Sequence, residues 1–292
     1  MKTATKISIS VIALLMASLA GAYISFPKRD GTNPAIPARS SPASNASEQA
    51  APKDQRTSGE EGSEADFARQ FADIKAKAAQ EDASAQWKLS EIYGACMPYS
   101  LDARKQLATL DYLAELNKGS KAAIDRMKSR LSRRCGVVDN GEPIPLEAVD
   151  GWMEKAAANG NAAARIKIRS RSLDPLSGKE VGGFVDEVLA SRSPEAMMEL
   201  SNLASRPLEG GAPERYAGIV GNPVAGAAWG IAACRAGASC GSGSLLMDAI
   251  CTGTGKCNYS TYEEFITSEL VPAGERGRLD AALSKINELY KP

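Results

Sequence analysis

The chain has 292 residues, 43% hydrophobic and 24% charged, with 35 basic side chains against 35 acidic ones and no histidine. A formal charge of zero excludes nucleic acid as a general partner, because counterion release needs a clear basic excess. The lack of histidine excludes a Ser-His-Asp triad, a Cys-His pair and imidazole metal sites, and leaves only carboxylate, lysine or tyrosine chemistry.

Lys2 and Lys6 precede an apolar run from Ile7 to Ala20, and Ala20-Gly21-Ala22 fits the small-residue cleavage pattern. Residues 1–22 are therefore expected to be an export signal, with a mature start at Tyr23. No cysteine follows the run, which argues against a lipoprotein anchor. The alternative is an uncleaved anchor over residues 7–26, stopped by Pro27-Lys28-Arg29 and tethering the chain to the membrane. Either way the body is expected to be exported, periplasmic or secreted. Residues 23–62 are rich in Ala, Ser, Pro and charge without apolar periodicity, and read as a disordered linker. Residues 63–292 read as the folded domain.

Helical stripes begin after Ser63-Glu64-Ala65-Asp66, which resembles a capping box. Phe67, Phe71, Ile74 and Ala78 share one face, and Ala85, Leu89, Ile92 and Tyr93 share the next. Leu107, Leu110 and Ala114 mark a third helix ending near Gly119, and Ile124, Met127 and Leu131 a fourth. Val149, Trp152, Met153, Ala156 and Ala157 follow at offsets of zero, three, four, seven and eight, and Asn159-Gly160 stops that helix. Ala162 to Ile168 starts its partner. Segments 78–93, 116–127 and 156–167 share one plan of helix end, small or acidic turn and alanine-bearing helix start; 191–205 and 221–234 are weaker copies. A spacing of roughly 30 to 40 residues is that of helix-turn-helix solenoids. Leu173-Asp174-Pro175-Leu176-Ser177-Gly178 reads as a joint that would subdivide the domain into 63–173 and 190–292. Ser260-Thr261-Tyr262-Glu263 reads as a capping box before Phe265, and Leu279, Leu283, Ile286 and Tyr290 as a closing amphipathic helix.

WMEKAAANGNAAARIKI and IKAKAAQEDASAQWKLSEIY resemble the Sel-one-like repeats of bacterial envelope proteins, which are related to tetratricopeptide repeats. Trp152, Lys155, Ala156, Ala157, Gly160, Asn161 and Ala164 carry the resemblance, while the first copy has Glu81-Asp82 where the family prefers glycine. It covers about two units. It implies an all-α fold of helix-turn-helix repeats in a short right-handed superhelix, and a binding role. Trp229, Ala232, Ala233 and Cys234 are likewise similar to a Trp-x-x-Ala-Ala-Cys segment of exported helical-repeat proteins that carry a four-cysteine module.

Six cysteines in an exported chain point to disulfides. Cys96 and Cys135 follow helices in comparable positions and are expected to pair, at about 4 kcal/mol. Cys234, Cys240, Cys251 and Cys257 follow C-x5-C-x10-C-x5-C, with a short helix at Leu245, Leu246, Ala249 and Ile250. Loop-closure entropy gives about 3 kcal/mol for each crossed loop and about 2.5 for each sequential one, too close to decide. Residues six apart in a continuous helix are too distant to bridge, which favours crossed pairing, Cys234 with Cys251 and Cys240 with Cys257. Sequential pairing needs turns, which Gly237, Gly253 and Gly255 can supply. Five-residue gaps do not suit a thiolate zinc site. Thr252-Gly253-Thr254-Gly255-Lys256 lacks the first glycine and final hydroxyl of a phosphate loop. No cofactor or metal is implied.

Lys118, Lys121, Arg126, Lys128, Arg130, Arg133 and Arg134 are interrupted by one acid, Asp125, and Arg165, Lys167, Arg169 and Arg171 follow one unit later. These are either solvated helix faces or, if the units stack, one contact face. Glu195, Glu199, Glu263 and Glu264 are the acids available for glycosidase-like work, which needs a cleft and one raised pKa. The expected function is adaptor binding of another envelope or secreted protein, without catalysis. The alternatives are a carboxylate-based enzyme acting on a cell-wall glycan or other envelope polymer, and an anion-binding module.

Overall fold

A computed structural model describes residues 64–291; the export signal, its anchor alternative and the linker at 23–62 lie outside the described residues. Twelve α-helices run in order: α1 Glu64–Ala79, α2 Ala83–Leu101, α3 Ala103–Leu116, α4 Lys121–Cys135, α5 Leu146–Ala158, α6 Ala162–Arg171, α7 Gly178–Ser191, α8 Pro194–Ala204, α9 Pro223–Arg235, α10 Leu245–Thr254, α11 Tyr262–Phe265 and α12 Arg276–Tyr290. Every expected helical stripe lies on one of them. None is long and apolar enough to cross a membrane.

Short polar side chains start most of these helices by accepting from an orphan backbone N–H of the first turn. Asp82, Asp102, Asn161, Ser177, Ser193, Asn222, Ser244 and Thr261 each do so three residues ahead. At Thr261 this moves the expected box by one residue. Thr261 caps Glu264, and Glu264 Oε2 in return accepts from the Ser260 N–H at 2.8 Å. α5 stops at Asn159-Gly160 as expected, with the Asn161 N–H reaching back to the Ala156 carbonyl at 2.9 Å.

The helices α1, α2, α5, α6, α8, α9 and α12 form a row in which each packs on the next. Side-chain amides and a hydroxyl stitch its first layers: Gln86 donates to the Ala78 carbonyl, Asn159 to Gln86, and Ser90 to the Val149 carbonyl. α9 is buried along the whole of Ala225–Ala233, and small side chains let it approach α8 closely. A Cβ at Gly226 would lie 2.6 Å from the Ser201 carbonyl oxygen.

The largest core extends from Trp87 on α2 to Ile286 on α12, drawing on residues from both sides of the 173–190 segment. That segment holds a helix, α7, and a two-residue parallel ladder pairing Leu176-Ser177 (β1) with Leu208-Glu209 (β2). A second core joins Phe71, Leu89, Tyr93 and Val149 around Cys96 and Cys135.

Three cysteine pairs are at disulfide distance. Cys96–Cys135 fixes α4 to α2 as expected. The four-cysteine module does not cross-pair: Cys234 joins Cys240 and Cys251 joins Cys257. The expectation assumed a helix running through each span, and neither does. α9 ends at Arg235 and Gly237 turns with φ +111°, bringing Cys240 back to a Cα separation of 5.5 Å. α10 ends at Thr254 and Gly255, at φ +72°, returns Cys257 to 4.4 Å. Left-handed backbone at a helix end is where glycine costs least.

The α3–α4 hairpin leaves the row and is met from the other end of the chain by α10. Leu110, Ala114, Ile124 and Met127 pack with Cys251 in a small third core. Asn117 donates to the Gly255 carbonyl, and Asn258 to the Gly119 carbonyl at 3.1 Å. α4 in turn packs on α2, so the α3–α4 hairpin ties α10 to the first helices of the row.

Candidate functional site

The basic run on α4 is largely committed inside the protein. Arg130 is 9% exposed and pairs with Asp248 at the start of α10. Arg134 pairs with the same carboxylate and donates to the Gly243 carbonyl at 2.7 Å. Lys128 pairs with Asp111 on α3, and Lys121 with Asp125. Arg133 is half-buried, while Lys118 and Arg126 are exposed. The second run serves other neighbours: Arg165 pairs with Glu187 and Arg169 with Glu180, both on α7, and Arg171 with Asp150 on α5. The two runs thus face different elements, α3 and α10 for one and α5, α7 and α8 for the other.

The remaining basic residue, Lys167 on α6, leads to a different cluster. Its Nζ lies 3.3 Å from Glu199 Oε1 and 3.2 Å from Oε2. Glu199, on α8, is 7% exposed, and Lys167 is its ion-pair partner through both carboxylate oxygens. Glu195, one turn earlier on α8, accepts from the Ser193 hydroxyl at 3.0 Å. Glu91 and Lys88 on α2 complete the group.

Glu91 is exposed by area, yet burial is the largest influence on its carboxyl. Burial raises its pKa to about 7; the charge of Glu199 adds to this and Lys167 offsets it, followed by smaller effects of Glu195 upward and Lys88 downward. α2 explains the placement. Trp87, Leu89, Ser90, Ile92 and Tyr93 are buried, and Ser84, Lys88 and Glu91 are the exposed strip at helical spacing. Trp87 Nε1, one turn before Glu91, is buried without a hydrogen-bond partner, and nothing in the structure explains it.

Glu195 and Glu199 are thus brought together with Glu91, which the sequence reading had not singled out. Glu263 and Glu264 are elsewhere: Glu263 pairs with Arg235 and Glu264 closes the cap of α11. No group of acids among the described residues converges closely enough to hold a metal ion. Two hollows lie away from the cluster. An open one of about 770 Å³ is rimmed by Arg192, Ser284, Asn287 and Tyr290. One of about 30 Å³ between α4 and α10 is water-sized. Comparison with protein-family models, with curated proteins and with solved structures finds no match to this chain.

Proposed function

We propose that this chain is an exported helical-repeat protein of the Sel-one-like type, a right-handed superhelix that binds another envelope or secreted protein without catalysis. Three cystine pairs suit an oxidising compartment. The observation that carries the reading is the group of charges Lys88, Glu91, Lys167, Glu195 and Glu199, which spans three helices of the row and leaves Glu91 exposed. Such a strip of mixed charge gives a partner electrostatic register.

The test is in-cell cross-linking of the full-length chain, with mass spectrometry of what is captured. One abundant partner that is lost when Glu91 and Glu195 are both changed to lysine supports the reading. Capture that survives both changes sinks it. A second reading, a carboxylate-based hydrolase of an envelope glycan, is favoured by one feature: a carboxyl held near neutrality beside another acid is the setting of a general acid. Turnover of cell-wall glycan that disappears in Glu91→Gln would establish it.

A further inference from the structure

We propose that the exposed face of α3, with the turn that follows it, docks on the surface of an anionic phospholipid bilayer. This contact goes beyond the partner reading above. It uses the α3–α4 hairpin and none of the charges gathered on α2, α6 and α8.

The first observation is apolar. Leu110 and Ala114 of α3 are buried in the third core, which turns the opposite face of the helix to solvent. A surface helix ordinarily carries polar residues there. Instead Tyr112 and Leu116, one turn apart, are 65% and 66% exposed, and exposed Ala108 precedes them at the same spacing. Leu101, where α2 turns into α3, is exposed as well.

The second observation is electrostatic and independent of the first. Residues 102–135 carry nine basic side chains and four acids, Asp102, Asp111, Glu115 and Asp125, within a chain whose total charge is zero. Lys121 pairs with Asp125, Lys128 with Asp111, and Arg130 and Arg134 with Asp248. Arg104, Lys105, Lys118 and Arg126 are exposed and make no ion pair among the described residues. Lys105 lies in line with Thr109, Tyr112 and Leu116, at steps of four, three and four, and Lys118 stands two residues past Leu116. The apolar pair therefore has a free cation at each end.

Together the two features select the partner. An acidic polypeptide answers the cations but leaves the exposed leucine and tyrosine nothing to enter. A lipid surface answers both: leucine enters the acyl boundary, tyrosine sits at headgroup level, and lysines meet the phosphates. Two large apolar side chains make a shallow, reversible contact, one that depends on anionic lipid. Glu115, exposed beside Leu116, opposes it.

The test uses the full chain with its disulfides intact and bicelles of phosphatidylcholine, with or without phosphatidylglycerol as the minor component. A trace of nitroxide-labelled lipid broadens the backbone amide signals of residues that approach the surface. The apolar run at 7–20 has its own tendency to enter lipid, so broadening is read helix by helix. It should be strongest in α3 and Lys118–Ser120, should need phosphatidylglycerol, and should fall with added salt. Affinity is the lipid concentration at half-maximal broadening. Lys105→Gln and Lys118→Gln should each weaken it about fivefold, and Leu116→Ser about tenfold. Glu115→Gln should tighten it, and Lys179→Gln, an exposed lysine on α7, should leave it unchanged. These side chains are exposed, and an unaltered unfolding midpoint for each variant shows the fold intact. Broadening spread evenly over the helices, equal broadening with phosphatidylcholine alone, or an unchanged Leu116→Ser would overturn the proposal. So would polyglutamate that shifts the same amides at lower concentration than the anionic bicelles, with no loss in Leu116→Ser; the face would then belong to an acidic polypeptide.

Discussion

Replacing Asp248 by leucine removes the carboxylate shared by Arg130 and Arg134. The side chains of Arg130 and Asp248 are 10% and 18% exposed, so the pair is nearly buried. Breaking such a pair from one side costs about 3–5 kcal/mol, because a charge stays where water cannot serve it well. Arg134 donates also to the Gly243 carbonyl, and the pair keeps slight solvent access, which places the cost at the lower end, about 3 kcal/mol. For a domain of this size that lowers the midpoint of thermal unfolding by about 6–12 °C. The loss should begin locally. The third core is small, and the joint between α4 and α10 is otherwise made by side-chain hydrogen bonds to carbonyls. Amide hydrogen exchange in α3, α4 and α10 should accelerate before that in α8 and α9. Changing Arg130 to methionine at the same time should recover most of the stability, since an apolar pair of similar volume replaces a buried ionic one at little cost. A shift below about 2 °C for Asp248→Leu alone, with no acceleration of exchange, would refute the account and return Arg130 to a solvated contact face.

Gly226→Ala should destabilise by about 3 kcal/mol, because the new Cβ meets the Ser201 carbonyl at 2.6 Å and α8 and α9 must separate. Gly183→Ala, with nothing within 4 Å, should be neutral or stabilise by up to about 1 kcal/mol; denaturant midpoints distinguish the two. Changing Cys96 and Cys135 to serine opens a loop of sequence separation 39 and should cost about 4 kcal/mol. Removing either short loop, of sequence separation 6, should cost only about 2.5 kcal/mol, as read from chemical unfolding. Glu91 binds its proton more tightly in the fold, near 7 against an ordinary 4.5, so its contribution is fully present below 4.5 and is lost as pH rises through about 7. Thermal melts across that window should flatten in Glu91→Gln, and an unchanged slope would count against the crowded position of Glu91.

Most helices of the row were legible from an apolar stripe at helical spacing, and α2, α6, α8 and α9 also from a short polar side chain that caps their start. α7 was not. Gly178 ends the segment that read as a joint, and Gly182 and Gly183 follow it in the same helix, but two of these three serve close packing. A Cβ at Gly178 would fall 2.0 Å from the Gly211 carbonyl, and one at Gly182 would touch Pro213 and the ring of Tyr216. Glycine as a helix breaker and glycine as a contact look alike until the neighbour is known. The departure of α3–α4 from the row was hidden for a related reason. Segment 116–127 has the same alanine-bearing plan as its neighbours, and the carboxylate that Arg130 of the following turns meets, Asp248, lies 118 positions further on. The disulfide pairing turned on whether a helix continued through each C-x5-C span, a matter settled by Gly237 and Gly255.

The cluster at Glu91 shows what pattern reading discards. A run of basic residues draws attention because like charges stand together in sequence, but such a run on a packed helix has to be balanced. Here Asp248, Asp111 and Asp125 balance the run on α4, while acids on α5 and α7 balance most of the run on α6. With 35 charges of each sign, the informative residue is the one left short of its opposite, and it need not lie in a run. Glu91 and Lys88 are isolated charges on a helix whose other sides are apolar. Their setting comes from α6 and α8, which begin more than 70 positions later. A partner that engages this chain through Arg130 has to detach α10 first; one that engages Glu91 meets a carboxylate already exposed and already in place.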